Sequence, residues 1–264
     1  MKQGFIKVAA ATPDIRVADV AFNTEEIIKR MREAAGNGAR IIVFPELCVT
    51  GYTCGDLFTQ DALLETAKGG LLKITEATRD LEALVFVGCP IAVDGELYNT
   101  AAALNKGMIL GFTTKTFLPN YGEFYEMRQF TPGPDVTREI AFDGKRVPFG
   151  PQILFVSRET KDLVVSAEIC EDVWSPVPPS IRAALEGALI LVNCSASDET
   201  IGKDRYREGL ISGQSGKIDR GLRLCQCGRR GVYHGCRFWR TQSDCGKWDD
   251  FKIVRTVCQR DDLQ

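Results

Sequence analysis

Val164-Val165-Ser166-Ala167-Glu168-Ile169-Cys170-Glu171-Asp172-Val173-Trp174 is a short apolar run that stops abruptly at a thiol between polar neighbours. The apolar part predicts a buried strand, which puts Cys170 at or just past that strand's C-terminal end. In α/β folds this edge carries the chemistry. Two other strand-like runs end the same way. Arg40-Ile41-Ile42-Val43-Phe44-Pro45 delivers Glu46, and Met108-Ile109-Leu110-Gly111-Phe112-Thr113-Thr114 delivers Lys115. A carboxylate, an amine and a thiol, each launched from a strand end, are the parts that cysteine-dependent amide chemistry requires.

Around these runs the chain alternates strands and helices. Phe5–Ala10 reads as a first strand, and residues 22 to 35 as a helix with Asn23 and Thr24 as cap candidates and Ile27, Ile28, Met31 and Ala34 at helical spacing. Asp61 to Asp80 reads as a helix and Ala83–Gly88 as a strand. Tyr98–Leu104 and Met108–Thr114 form a predicted hairpin around Asn105-Lys106-Gly107. Ile153–Val156 pairs with Leu163–Ile169, then come a helix at Ile181–Glu186, a strand at Ala188–Asn193 and a helix near Arg205–Gln214. The order implies an α/β fold, a mixed sheet with helices outside it.

The 264 residues suffice for one large domain or two small ones. Hydrophobic content of 44%, charged content of 26% and a net charge of −2 describe an ordinary globular chain, with no bulk electrostatic case for nucleic acid or a membrane surface. The N-terminal residues are too charged for a signal peptide, and no apolar run reaches transmembrane length. Cys48, Cys54, Cys89, Cys170 and Cys194 are scattered through strand and loop contexts rather than spaced as a disulfide framework, which points to a reducing, cytoplasmic compartment.

A thiol attacks only as thiolate, so a catalytic cysteine needs a base. The chain's single histidine, His234, lies far from the strand runs. Glu46 is left as the base for Cys170, a role a carboxylate fills when burial raises its pKa. Lys115 suits a fixed cation that favours the thiolate and then the oxyanion of a tetrahedral intermediate. Singly these residues have plainer readings: Cys170 as a buried apolar residue, Glu46 and Lys115 as loop charges, Cys48 and Cys194 as packing.

Three blocks, Phe44-Pro45-Glu46-Leu47 with Gly51-Tyr52, Lys115-Thr116-Phe117-Leu118-Pro119-Asn120-Tyr121 running on to Phe130, and Ile169-Cys170-Glu171-Asp172, resemble the nitrilase (carbon–nitrogen hydrolase) superfamily. Leu118-Pro119-Asn120-Tyr121-Gly122-Glu123-Phe124-Tyr125-Glu126, Cys170–Trp174 and Asn193-Cys194-Ser195-Ala196-Ser197 are closer still to the amidase domain of glutamine-dependent NAD synthetases, over roughly residues 4 to 220. The resemblance implies a nitrilase-like α-β-β-α sandwich. It implies Glu46 as general base, Lys115 as oxyanion-stabilising cation, Cys170 as nucleophile and Glu126 as a second carboxylate orienting lysine and substrate. Tyr121, Glu171 and Ser197 match positions near a glutamine pocket, and Tyr52 a position by its mouth. The implied reaction is hydrolysis of a small amide, glutamine above all, through a thioester, with no metal or cofactor. The implied partners are an ATP-dependent synthetase domain that accepts the ammonia and further copies of the chain in a homo-oligomer.

Two departures qualify the resemblance. No Ser-Gly-Gly-x-Asp-Ser pyrophosphate loop occurs, and Ser212–Ile218 does not have the spacing of a P-loop. Residues 217–264 contain five of the ten cysteines and neither Ala nor Glu. Residues 1–220 are therefore read as the amidase domain, and 221–264 as an atypical Cys/Arg-rich tail of the kind that translation out of frame and truncation produce. In that tail Cys225, Cys227, His234, Cys236 and Cys245 fit no common zinc-finger spacing, and Arg229-Arg230 with Arg237–Arg240 make a small basic patch without a nucleic-acid-binding fold. The alternatives are a stand-alone amidase or carbamoylase acting on another small amide, or an inactive fragment.

Overall fold

A computed structural model of the chain describes residues 6–158, 162–198 and 200–219, with the backbone of 221–226, 232–233 and 236–237. The elements run β1 (Val8–Ala10), α1 (Val20–Gly36), β2 (Ile41–Val43), α2 (Asp61–Ala77), β3 (Leu84–Val93), β4 (Glu96–Asn105), β5 (Met108–Thr114), β6 (Arg138–Phe142) and β7 (Lys145–Gly150). There follow β8 (Leu154–Val156), β9 (Val164–Ile169), α3 (Pro179–Leu185), β10 (Ile190–Ser195), α4 (Lys203–Ile218) and β11 (Gly221–Gln226), then a short pair, β12 (Val232–Tyr233) and β13 (Cys236–Arg237).

Strands β1 to β7 form one sheet, in the order β1-β2-β3-β4-β5-β7-β6, and β11-β10-β9-β8 form a second. The first three strands are parallel, as are β9, β10 and β11, while the hairpins are antiparallel. Two-residue turns close β3–β4, β4–β5 and β6–β7: Asp94-Gly95, Lys106-Gly107 and Asp143-Gly144, each with positive φ at both positions. That geometry lets a two-residue loop follow the twist of its strands. The Asp143-Gly144 hairpin, β6–β7, was not among the predicted strands, although its turn carries the same signal as the other two.

Period-two alternation explains the layers. Ile41, Val43, Leu84, Phe86, Ala101 and Ala103 from the first sheet meet Val165, Ala167, Ile169, Ile190, Val192 and Cys194 from the second. The opposite face of the first sheet, with Ile42, Val85, Val87, Ala102 and Leu104, packs on Ile27 and Met31 of α1 and Ala67, Leu71 and Ile74 of α2. Leu191 of β10 packs outward on Ala183 of α3 and Ile211 of α4. The result is helix, sheet, sheet, helix, the sandwich that the resemblance implies.

Helix α1 begins earlier than its sequence suggests. Its cap is Asp19, whose side chain accepts from Phe22 N. Asn23 and Thr24, the expected caps, are buried inside the helix. Asn23 instead pins two loops, accepting from Arg16 N at 2.8 Å and donating to Arg16 O at 2.8 Å and Val49 O at 3.1 Å. Among the described residues no helix is long and apolar enough to cross a membrane. The side chains of Cys225, Cys227, His234, Cys236 and Cys245 and the basic tail patch lie outside the described residues.

Candidate active site

The three strand ends converge. Beyond β2 the chain turns through Phe44-Pro45-Glu46 across β3, where a side chain on Gly88 would lie 2.3 Å from Pro45 O and 2.4 Å from Leu47 N. The missing Cβ lets this loop lie on the sheet and turns Glu46 inward. Lys115 continues β5, its amide bonded to Asn99 O at 2.9 Å and its carbonyl to Gly133 N at 2.8 Å. Glu126 opens a single 3-10 turn, Glu126–Arg128, in the long loop after β5. Cys170 follows β9 and opens another turn, Cys170–Trp174.

Cys170 has φ 42°, a left-handed conformation that a side chain adopts only at a cost of about 1–3 kcal/mol. The surroundings hold it there. Asn193 Oδ1 accepts Cys170 N–H at 3.1 Å, and Asp172 Oδ2 accepts Ile169 N–H at 2.9 Å. Asp172 Oδ1 also takes the amides of Thr116 and Phe117 at 3.0 and 2.9 Å, tying the segment after Lys115 to the cysteine turn.

Lys115 Nζ donates to Glu46 Oε1 at 2.6 Å and to Glu126 Oε1 at 2.7 Å, and the ammonium is fully buried. Glu46 is held further by Asn99 Nδ2 at 2.7 Å and Ala196 N at 3.0 Å. Burial works against the Lys115 charge, but Glu126, Glu46 and Cys170 outweigh it, so its pKa stands well above the usual lysine value. Burial pushes Glu126 up to about 7 against the pull of Lys115, with Glu46 adding to the rise. The Cys170 thiol is raised by burial and by Glu46, and Lys115 and a hydrogen bond from Ser195 oppose that rise. At neutral pH Cys170 therefore rests as a thiol beside the Lys115 ammonium, and attack requires proton removal in the act.

Glu46, Lys115, Glu126 and Cys170 are thus brought together. Tyr52, expected at the mouth, is buried, with its phenol donating to Glu126 Oε1 at 2.6 Å. Tyr121 is 59% exposed and donates to Glu171 Oε1 at 2.8 Å, so this pair lies at the protein surface. Ser197 is buried beside Asp198, which is paired with Lys203. Sequence reasoning missed Asn99, Asp172, Asn193 and Ser195. Among the described residues no group of three or more His, Cys, Asp and Glu side chains could hold a metal ion.

This layered fold, with a thiol, an amine and one carboxylate at its strand ends and a second carboxylate brought in by the loop after β5, all buried, is that of a carbon–nitrogen hydrolase acting on amides. The sequence pattern of the carbon-nitrogen hydrolase family matches residues 7–240, and the chain belongs to that family. A glutamine-dependent NAD(+) synthetase from Mycobacterium leprae is 40% identical over 213 residues, 81% of this chain and 31% of that protein. One from Thermotoga maritima is 34% identical over 208 residues, 78% of this chain and 33% of that protein. The chain therefore spans about a third of the length of these relatives. The crystal structure of a glutamine-dependent NAD(+) synthetase from Cytophaga hutchinsonii matches with a TM-score of 0.77 at 29% identity, over 89% of this chain and 40% of that one. An amidase from Nesterenkonia sp. shares the fold, with a TM-score of 0.67 at 20% identity over 90% of this chain and 81% of its own.

Proposed function

We propose that the chain hydrolyses the side-chain amide of glutamine through a thioester on Cys170. The observation that carries this reading is the buried Lys115 ammonium bridging Glu46 and Glu126 beside a cysteine held in the left-handed region. Glu46 takes the thiol proton while sulfur bonds to the carboxamide carbon. Two of the three Lys115 N–H bonds go to the carboxylates. The third serves the developing oxyanion, together with a backbone N–H. Glu46 then hands its proton to the leaving nitrogen, and ammonia departs. Water, deprotonated by Glu46, attacks the thioester; glutamate leaves and Cys170 regains its proton. Glu126 fixes Lys115, with Tyr52 fixing Glu126. Tyr121, Glu171 and Ser197 bind the amino-acid end of the substrate.

The relatives are synthetases about two and a half times as long as this chain. We take the ammonia acceptor to be an ATP-dependent synthetase unit of the kind their name describes, and residues 1–220 to be the amide-hydrolysing part. The test is ammonia release from glutamine by the purified chain and by Cys170→Ala. Release that falls by at least about a thousandfold in the variant supports the reading. Equal release from both overturns it, and release from other carboxamides but not from glutamine replaces glutamine as substrate.

A further inference from the structure

Within Asn193-Cys194-Ser195-Ala196-Ser197, the reaction above engages only the Ala196 amide and Ser197. Along β10, Ile190, Val192 and Cys194 point into the layer between the sheets, whereas Leu191 points outward. Asn193 and Ser195 share the outward face, and both direct side-chain hydrogen bonds to Cys170. Asn193 accepts the Cys170 amide at 3.1 Å and reaches its carbonyl at 3.5 Å. Ser195, 1% exposed, donates its hydroxyl to Cys170 Sγ at 3.4 Å. One strand face therefore addresses the cysteine's amide, carbonyl and sulfur.

We propose that Ser195 is a further catalytic residue, whose hydroxyl stabilises the Cys170 thiolate both as it attacks and as it leaves the thioester. The inference rests on Cys170 being the nucleophile. The sulfur needs such a donor because its surroundings are hostile to charge. It is buried, and Glu46 and Glu126 both repel a thiolate. Lys115 attracts it, but its ammonium already holds two carboxylates and turns its last N–H to the substrate oxygen. Ser195 is a neutral donor aimed at sulfur. It transfers no proton: the thiol proton goes to Glu46 and the hydroxyl keeps its own. Once the C–S bond forms, the sulfur is a weak acceptor and the hydrogen bond slackens. It strengthens again as the C–S bond breaks and the thiolate departs, so it favours deacylation.

The two steps respond unequally to its loss. A hydrogen bond to a charged acceptor is worth about one pKa unit. Nucleophilicity rises as thiol pKa rises, with a Brønsted slope of about 0.4–0.5, so attack slows by only about threefold below the titration. Breakdown, where the thiolate is the leaving group, loses more. The experiment compares the whole chain with Ser195→Ala and Ser195→Thr. Alkylation of Cys170 by iodoacetamide is followed from pH 6 to 9 by mass spectrometry of its peptide, and glutamine turnover is measured alongside. We expect Ser195→Ala to be alkylated about threefold more slowly across that range. Its kcat should fall about tenfold with KM unchanged. Ser195→Thr, which restores the hydroxyl but adds a methyl, should return both toward the wild-type values, whereas a packing role would make the larger side chain the worse variant. If Ser195→Ala does not fold, Ser195→Gly replaces it. Alkylation and turnover unchanged in a folded variant lacking the hydroxyl overturn the proposal while Cys170→Ala remains silent. Turnover undiminished in Cys170→Ala overturns the nucleophile reading instead. Alkylation needs no turnover, so it decides the role of Ser195 even if the chain alone does not hydrolyse glutamine.

Discussion

At Lys115 one side chain settles the charge of the whole site. Its ammonium is buried between two carboxylates that are themselves buried. Removing one member of such a cluster leaves uncompensated charge in a poorly polarisable interior, which costs about 3–5 kcal/mol. Lys115→Met keeps the length and loses the charge. We expect urea denaturation to show a loss of that order, and amide hydrolysis to fall below detection. A variant as stable as wild type would mean that the carboxylates find other partners. Tyr52→Phe is milder. It removes one hydrogen bond to Glu126 while leaving the ring packed, for a loss of about 1–3 kcal/mol in the same denaturation assay. No change in midpoint would show that Glu126 has a substitute donor. The contrast between these residues and their supports explains what was legible in the sequence. Glu46, Lys115 and Cys170 each follow a readable apolar run, so strand-end placement alone brings them forward. Asn99 reaches Glu46 across 53 residues of chain, and Asp172 reaches Thr116 across 56. No local pattern marks a strand asparagine as a carboxylate holder. Such contacts exist only once the sheet has assembled.

At the scale of elements, the loop after β2 depends on a hole in β3. A Cβ on Gly88 would sit 2.3, 2.4 and 2.7 Å from Pro45 O, Leu47 N and Glu46 C, and all three are backbone atoms that cannot rotate aside. Gly88→Ala must push this loop off the sheet, and Glu46 travels with it. Overpacking of this kind costs about 1–3 kcal/mol, and a shift of about 1 Å at a catalytic group costs about a hundredfold in rate. The expected outcome is a variant that remains folded by circular dichroism but has lost most of its hydrolysis. Full activity would show that the loop tolerates displacement. The strands themselves were readable because their apolar runs are uninterrupted and their turns carry glycine. The start of α1 was misread for a physical reason: Asn and Thr favour caps, but here the buried contacts of Asn23 with Arg16 and Val49 override that local preference. The β6–β7 hairpin was missed because its strands carry Arg138, Glu139, Lys145 and Arg146, which dilute the alternation expected of a half-buried strand.

For the whole molecule, the polar groups buried to build the site make stability depend on pH. Glu168 lies just before Cys170 on the outward face of β9, buried, accepting Ser180 N–H at 3.0 Å. Burial pushes its carboxyl up to about 7, against the hydrogen bonds from Ser180 and Asn193. In the unfolded chain it titrates near about 4.3. Between these values the folded chain keeps a proton that the unfolded chain has lost, so folding is favoured at the acid end and stability falls as pH rises through the window. Each unit crossed is worth about 1.4 kcal/mol, so the loss between pH 5 and 8 is at most about 3 kcal/mol from this residue. Glu126 and Asp172 are raised by burial too and act in the same direction. The exposed pairs Asp56–Arg128 and Glu76–Arg79 stay ionised across this range, because their carboxyls are held below the ordinary value, and add no slope. Urea unfolding at pH 5, 6.5 and 8 should therefore show a chain that grows weaker toward alkaline pH. Glu168→Gln keeps the acceptor for Ser180 and cannot titrate, so its stability should fall less steeply over the same interval. A variant whose slope equals that of the wild type would mean that Glu168 is ionised throughout and that the carboxylate beneath the nucleophile is held by more donors than Ser180 and Asn193 supply.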